Sequence, residues 1–106
     1  MEIIHIRQRL EELPDEIEKA ELTYVEAKAT LEYMENMKRH VLAYLKEKQE
    51  GSNPERESKA LASQEYKNHL TGIMESARQT GAFGAQYHKL QNEFEAMRSL
   101  NKNIGA

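Results

Sequence analysis

Apolar residues in the first half of the chain recur in alternating steps of three and four. The series runs Ile3, Ile6, Leu10, Leu13, Ile17, Ala20, Tyr24, Ala27, Leu31, Met34, Val41 and Leu45, with Lys38 as its one polar member. That is the a/d seam of a coiled coil, and such a seam must be buried against another helix. The spacing predicts helices over residues 2–12 and 14–49. Leu13-Pro14-Asp15-Glu16 reads as a helix start, with proline in the first turn and acids at the positive end of the helix dipole. The seam nevertheless runs through Pro14 in phase, so a kinked helix and two separate helices are both open. A proline inside a helix loses one hydrogen bond and costs roughly 3 kcal/mol.

Glu50-Gly51-Ser52-Asn53-Pro54 is the clearest turn. Gly51 suits a left-handed C′ position, Ser52 or Asn53 an N-cap, and Pro54 a first helical turn. Beyond it, helices are expected over 54–80 and 84–101. Tyr66, Leu70, Ile73 and Ala77 form one apolar series; Tyr87, Leu90, Phe94 and Met97, with Ile104 in phase, form another. The two do not share a clean register across Gly81-Ala82-Phe83-Gly84, where two glycines cost about 1 kcal/mol each relative to alanine. A kink or break is expected there, with Phe83 filling the core, the alternative being a hinge or flexible binding loop with Phe83 as an anchor; fraying is expected from Asn101.

The turn lies near mid-chain. Folding there gives an all-α, coiled-coil-like antiparallel helical hairpin, one domain over residues 1–106, with kinks or breaks near Pro14 and Gly81–Gly84. The acidic stretch 11–26 then lies beside residues 77–92, which hold Arg78, His88 and Lys89 and no acid, Lys38 beside Glu65, and Pro14 beside Gln86–Lys89. Two helices bury only one stripe each. The first helix also carries Leu22, Val25, Tyr33, Met37, Leu42 and Tyr44 off the seam. That excess apolar surface calls for a further neighbour, most economically a second copy in a four-helix bundle.

Charge and composition refine this picture. Residues 1–50 hold 8 basic and 12 acidic side chains, residues 51–106 hold 7 and 6. With no broad basic face, duplex DNA is an unsuitable partner. The chain has no cysteine, which excludes disulfides and thiolate metal sites. No apolar run approaches the roughly 18 residues of a membrane span. Met1-Glu2-Ile3-Ile4-His5 lacks the pattern of a signal peptide, so a cytoplasmic location without membrane attachment is expected.

Candidate chemistry is sparse. No two of His5, His40, His69 and His88 stand four apart, and Glu65 with His69 is too few ligands for a metal. Lys38, Arg39, Tyr44, Lys46 and Lys48 form a basic patch with an aromatic near the turn, suited to weak single-strand nucleic-acid binding. Interspersed Glu35, Glu47 and Glu50 favour a solvated face instead. Gly81-Ala82-Phe83-Gly84 lacks the Lys-Ser/Thr of a phosphate loop. No catalytic residue, cofactor or metal is expected. The residues expected at helix packing or oligomer contacts are Ile17, Ala20, Tyr24, Ala27, Leu31, Met34, Lys38, Val41, Leu45, Tyr66, Leu70, Ile73, Tyr87, Leu90, Phe94 and Met97.

Tyr87-His88-Lys89-Leu90, followed by Glu93, Phe94 and Glu95-Ala96-Met97-Arg98-Ser99-Leu100-Asn101, is similar to the end of short helical proteins encoded by tailed bacteriophages. The spacings of Tyr24, Lys28 and Leu31 and of Lys59, Ala62 and Tyr66 resemble theirs too. The resemblance covers most of the chain and implies an accessory role in the host cytoplasm, in a genetic setting of recombination and single-strand binding. It brings no catalytic residue. The expected function is a non-enzymatic, self-associating adaptor, most simply a dimer. Alternatives are an accessory factor for single-stranded nucleic acid using the basic patch, or an inhibitor of a host enzyme using the acidic stretch as a decoy.

Overall fold

A computed structural model describes residues 2–105. It is an all-α helical hairpin of three helices: α1 (Ile3–Glu47), α2 (Asn53–Leu61) and α3 (Gln64–Gly105). There is no strand among the described residues.

The segment boundaries differ from those expected. The helices over 2–12 and 14–49 are one, because Pro14 lies on the exposed face of α1. The carbonyl that it leaves without a donor can be hydrated there, so the helix continues. The glycines do not interrupt α3 either. The inward face of α3 runs Tyr66, His69, Ile73, Ser76, Thr80, Gly84, Tyr87, Leu90, Phe94, Met97 and Asn101, all buried or half-buried. The two apolar series therefore share one phase, joined through small and polar residues that carry no apolar signal. The helix also carries on past Asn101.

The break falls instead at Ala62-Ser63, within the expected helix 54–80. Ser63 makes it. Its Oγ donates to the Ala60 carbonyl at 2.6 Å and accepts the Tyr66 N–H at 3.2 Å, an N-cap for α3. Glu65 follows in the first turn, where an acid favours a helix start. At the other turn, Gly51 has φ +117°, a conformation that suits glycine. Ser52 caps α2 with Pro54 behind it, and Lys59 Nζ donates to the Glu50 carbonyl at 2.9 Å.

The chain forms two compact units. One comprises Met1–Glu26 with Thr80–Ala106, the other Ala27–Gln79. In the first, Ile6 and Leu13 are fully buried against Leu90 and Met97, with Leu10, Ile17, Ala20 and Phe94 around them. In the second, Leu45, Ala60 and Tyr66 form the core, flanked by Val41 and Leu42.

The two glycines near mid-α3 have opposite roles. A Cβ on Gly84 would stand 2.9 Å from the Tyr24 ring, whereas one on Gly81 would meet nothing within 4 Å. Phe83, expected in the core, is 40% exposed; the neighbouring glycine is the buried residue because the ring of Tyr24 takes that space. Gly81→Ala should raise stability by about 1 kcal/mol through helix propensity. Gly84→Ala should lower it by about 1–3 kcal/mol through overpacking. Urea unfolding of both variants checks this; equal effects would show that Tyr24 does not pack on Gly84.

Candidate interaction surfaces

The polar contacts that hold the helices in register start from Arg9. Its Nε donates to Glu93 Oε2 at 2.8 Å and its Nη2 to Glu93 Oε1 at 2.7 Å, a bidentate pair between α1 and α3. Nη1 of the same guanidinium reaches Glu12 and Glu16 on its own helix. Three carboxylates hold the Arg9 guanidinium above its usual value, Glu93 most of all. The bond from Arg9 holds Glu93 below the ordinary carboxylate range.

An aromatic cluster lies further along the same unit. Tyr24 stands 6.0 Å from Tyr87 and 6.1 Å from His88, between ring centres. The Tyr87 hydroxyl donates to Glu21 at 2.8 Å and accepts from Gln91 Nε2 at 2.9 Å. The bond to Glu21, then burial, raises the Tyr87 phenol. These groups join helix to helix and hold them in register.

At Arg9 and Glu93 the charge pairing runs opposite to the expected sense, in which α1 supplies the acid. The cross-helix pair has its base on α1 and its acid on α3. Arg78, expected to answer the acids of residues 11–26, pairs with Glu75 one turn away. Local pairs at i, i+3 form at low entropic cost and take the available charge first. Pro14 lies beside Gln91, Phe94 and Glu95, a turn beyond Gln86–Lys89.

Most expected seam residues are inward. Leu45, Tyr66, Leu90 and Met97 are buried, and Ile17, Ala20, Tyr24, Ala27, Leu31, Met34, Val41, Ile73, Tyr87 and Phe94 are half-buried. Two are not: Lys38 and Leu70 are exposed. Met37 is half-buried where Lys38 was expected, because the long charged stem of Lys38 reaches water from the seam's edge. In place of Leu70, His69 turns inward and its ring nitrogen lies 3.1 Å from the Met34 carbonyl. No ion pair joins Lys38 to Glu65 among those described. Glu65 acts on Lys48 instead, whose ammonium is raised first by Tyr44 and then by that charge.

The basic patch is not one surface. Lys48 Nζ sits 4.3 Å above the Tyr44 ring. Arg39 and Lys46, seven apart, lie on another side of α1 from Tyr44 and Lys48. A base stacking on Tyr44 would have to displace Lys48. No cluster of three or more His, Asp or Glu that could hold a metal occurs among the described residues. No described helix is long and apolar enough to cross a membrane.

What stands out is the outer face of α1. Leu22 is 59% exposed, Val25 47%, Tyr33 65% and Tyr44 58%. Pro14, Ile17, Leu22 and Val25 line a shallow apolar groove of about 440 Å³, edged by Glu18 and Glu21. Comparison of the chain with known protein families, curated proteins and solved structures finds no match.

The contact between Arg9 and Glu93 sets a pH dependence. Glu93 is depressed in the folded chain, so its stabilising contribution is present above the ordinary glutamate value. It is lost as pH falls through the lower folded value. Arg9→Ala should lower the Tm at pH 7 and flatten the loss of Tm between pH 5 and pH 3, estimated from ordinary carboxylate values of about 4. An acid limb identical to that of the parent chain would show that the pair does not couple folding to pH.

Proposed function

We propose that the chain is a non-enzymatic, self-associating helical adaptor that acts through protein–protein contacts. Its exposed surface carries this reading. The chain exposes 7755 Å² at a mass of 12.3 kDa. A compact monomer of that mass exposes about 6,100 Å². The excess of roughly 1,600 Å² is about twice what each partner buries in a standard interface. Among the described residues only Ile6 and Leu13 are large side chains buried completely, too small a core for a disulfide-free chain of this length to rely on alone.

Self-association buries that excess, and the remaining charged surface is then free to hold other proteins. The resemblance to bacteriophage accessory proteins supports a setting in the host cytoplasm. Single-strand binding is the weaker reading, since Lys48 covers the ring that a base would use.

Folding coupled to association makes the Tm depend on protein concentration. A hundredfold dilution from the high micromolar range should lower the Tm by several degrees. A Tm that stays constant over that range, with a cooperative transition, would contradict the proposal.

A further inference from the structure

The first unit, Met1–Glu26 with Thr80–Ala106, carries an apolar groove whose edges hold acids and no base. Leu22 and Val25 stand exposed on α1 and, with Pro14 and Ile17, floor the hollow of about 440 Å³. A second hollow, of about 390 Å³, shares Pro14 and Ile17 and carries the floor on to Phe94 of α3. Pro14 to Val25 is about 16 Å along the helix, or about three turns.

Glu18 and Glu21 edge the first hollow and Glu95 the second. Glu11 and Asp15, spaced four and three from Glu18, share its side of α1 and are exposed. Glu21 accepts from the neutral hydroxyl of Tyr87 and keeps its charge. Glu11, Asp15 and Glu18 enter no ion pair among those described. The nearby bases do not answer them. Arg9 is taken by Glu12, Glu16 and Glu93. Arg7 lies two turns before Pro14, and Lys19 a third of a turn round from Val25.

The far end shows what such a surface takes. Arg98 lies over the Phe94 ring, 5.9 Å from its centre, and bonds Glu95 at 3.1 Å. A long basic side chain thus lays its stem on the apolar floor and its charge on the acidic edge. At Leu22 and Val25 the floor and the acids are present, and no base of this unit completes them. Both walls are helix surfaces with their backbone groups already paired, so an incoming strand finds no edge to join. A helix satisfies its own backbone and can present apolar residues at three- and four-residue spacing.

We propose that this groove binds a basic amphipathic helix of a partner protein. Its apolar stripe covers Leu22, Val25 and the floor at Pro14 and Ile17, and its lysines or arginines meet Glu18 and Glu21. The inference rests on the adaptor reading, for which it names the partner's chemistry, and does not require self-association. A second copy is the poorer occupant, because it brings a net charge of −3 to an acidic edge.

The probe is a fluorescein-labelled synthetic peptide of about 18 residues, long enough as a helix to span the groove. It carries leucines at three- and four-residue spacing, lysines beside them and alanine elsewhere. One control peptide has glutamate for lysine; another keeps the composition and scatters the leucines around the helix. Anisotropy with the full-length chain should show the first peptide binding about tenfold or more tighter than either control. Leu22→Ser should weaken that binding about tenfold. Glu18→Lys, which removes no apolar contact and so covers loss of folding in the first variant, should weaken it about three- to tenfold. Tyr33→Ser, in the other unit, should leave it unchanged. Absence of binding, equal binding of the scattered peptide, or loss with Tyr33→Ser and not with Leu22→Ser would overturn the proposal. Sedimentation of the same samples separates the two readings. A monomeric chain that binds the peptide removes self-association and keeps the site. A dimer that the peptide splits makes a second copy the occupant, which overturns the inference and leaves self-association intact.

Discussion

A pair of helices buries one stripe of each, and everything else in this chain follows from how little that is. Within each unit the stripe is filled by a few residues: Ile6, Leu13, Leu90 and Met97 in one, Leu45, Ala60 and Tyr66 in the other. At about 25 cal/mol per Å² of apolar surface, such clusters stand against a conformational entropy of roughly 1–2 kcal/mol for each ordered residue. Close packing and polar clasps are two answers to that shortage.

The close packing is visible at Gly72 and Gly84. The side chains of Met34 and Tyr24 lie within 3.0 and 2.9 Å of where a Cβ would stand. Small residues on the inner face of α3 let larger ones on α1 sit down against the helix itself. The polar clasp is Arg9 on Glu93, which fixes the register where the apolar contacts alone would permit a slip. Leu22 and Val25 in one unit, and Tyr33 and Tyr44 in the other, stay exposed on α1.

The hairpin and most of its inner face were legible from the sequence because the apolar period of α1 is long and nearly unbroken. What was missed has physical reasons. Pro14 and Gly81–Gly84 are strong local breakers, yet a proline facing water and a glycine packed under a ring both fit a continuous helix. The inner face of α3 was read as two series because its middle is Gly72, Ser76, Thr80 and Gly84, four small residues spaced four apart. That spacing was itself a signal of close helix approach. The Ser63 cap was also present in the sequence, ahead of Gln64 and Glu65, but no glycine or proline marks it. The three–four count puts Lys38 on the seam; Met37 and Lys38 flank it from opposite sides, and water takes the charged one. Arg9 and Glu93 could not be paired from the sequence, since each has several opposite charges within reach.

One chain leaves a large surface exposed, and self-association is proposed to cover it. Sedimentation equilibrium at micromolar concentration tests this most directly. A self-associated dimer has a mass of twice 12.3 kDa, and that is the expected result. A single species of one chain's mass, folded and stable under the same conditions, would contradict it.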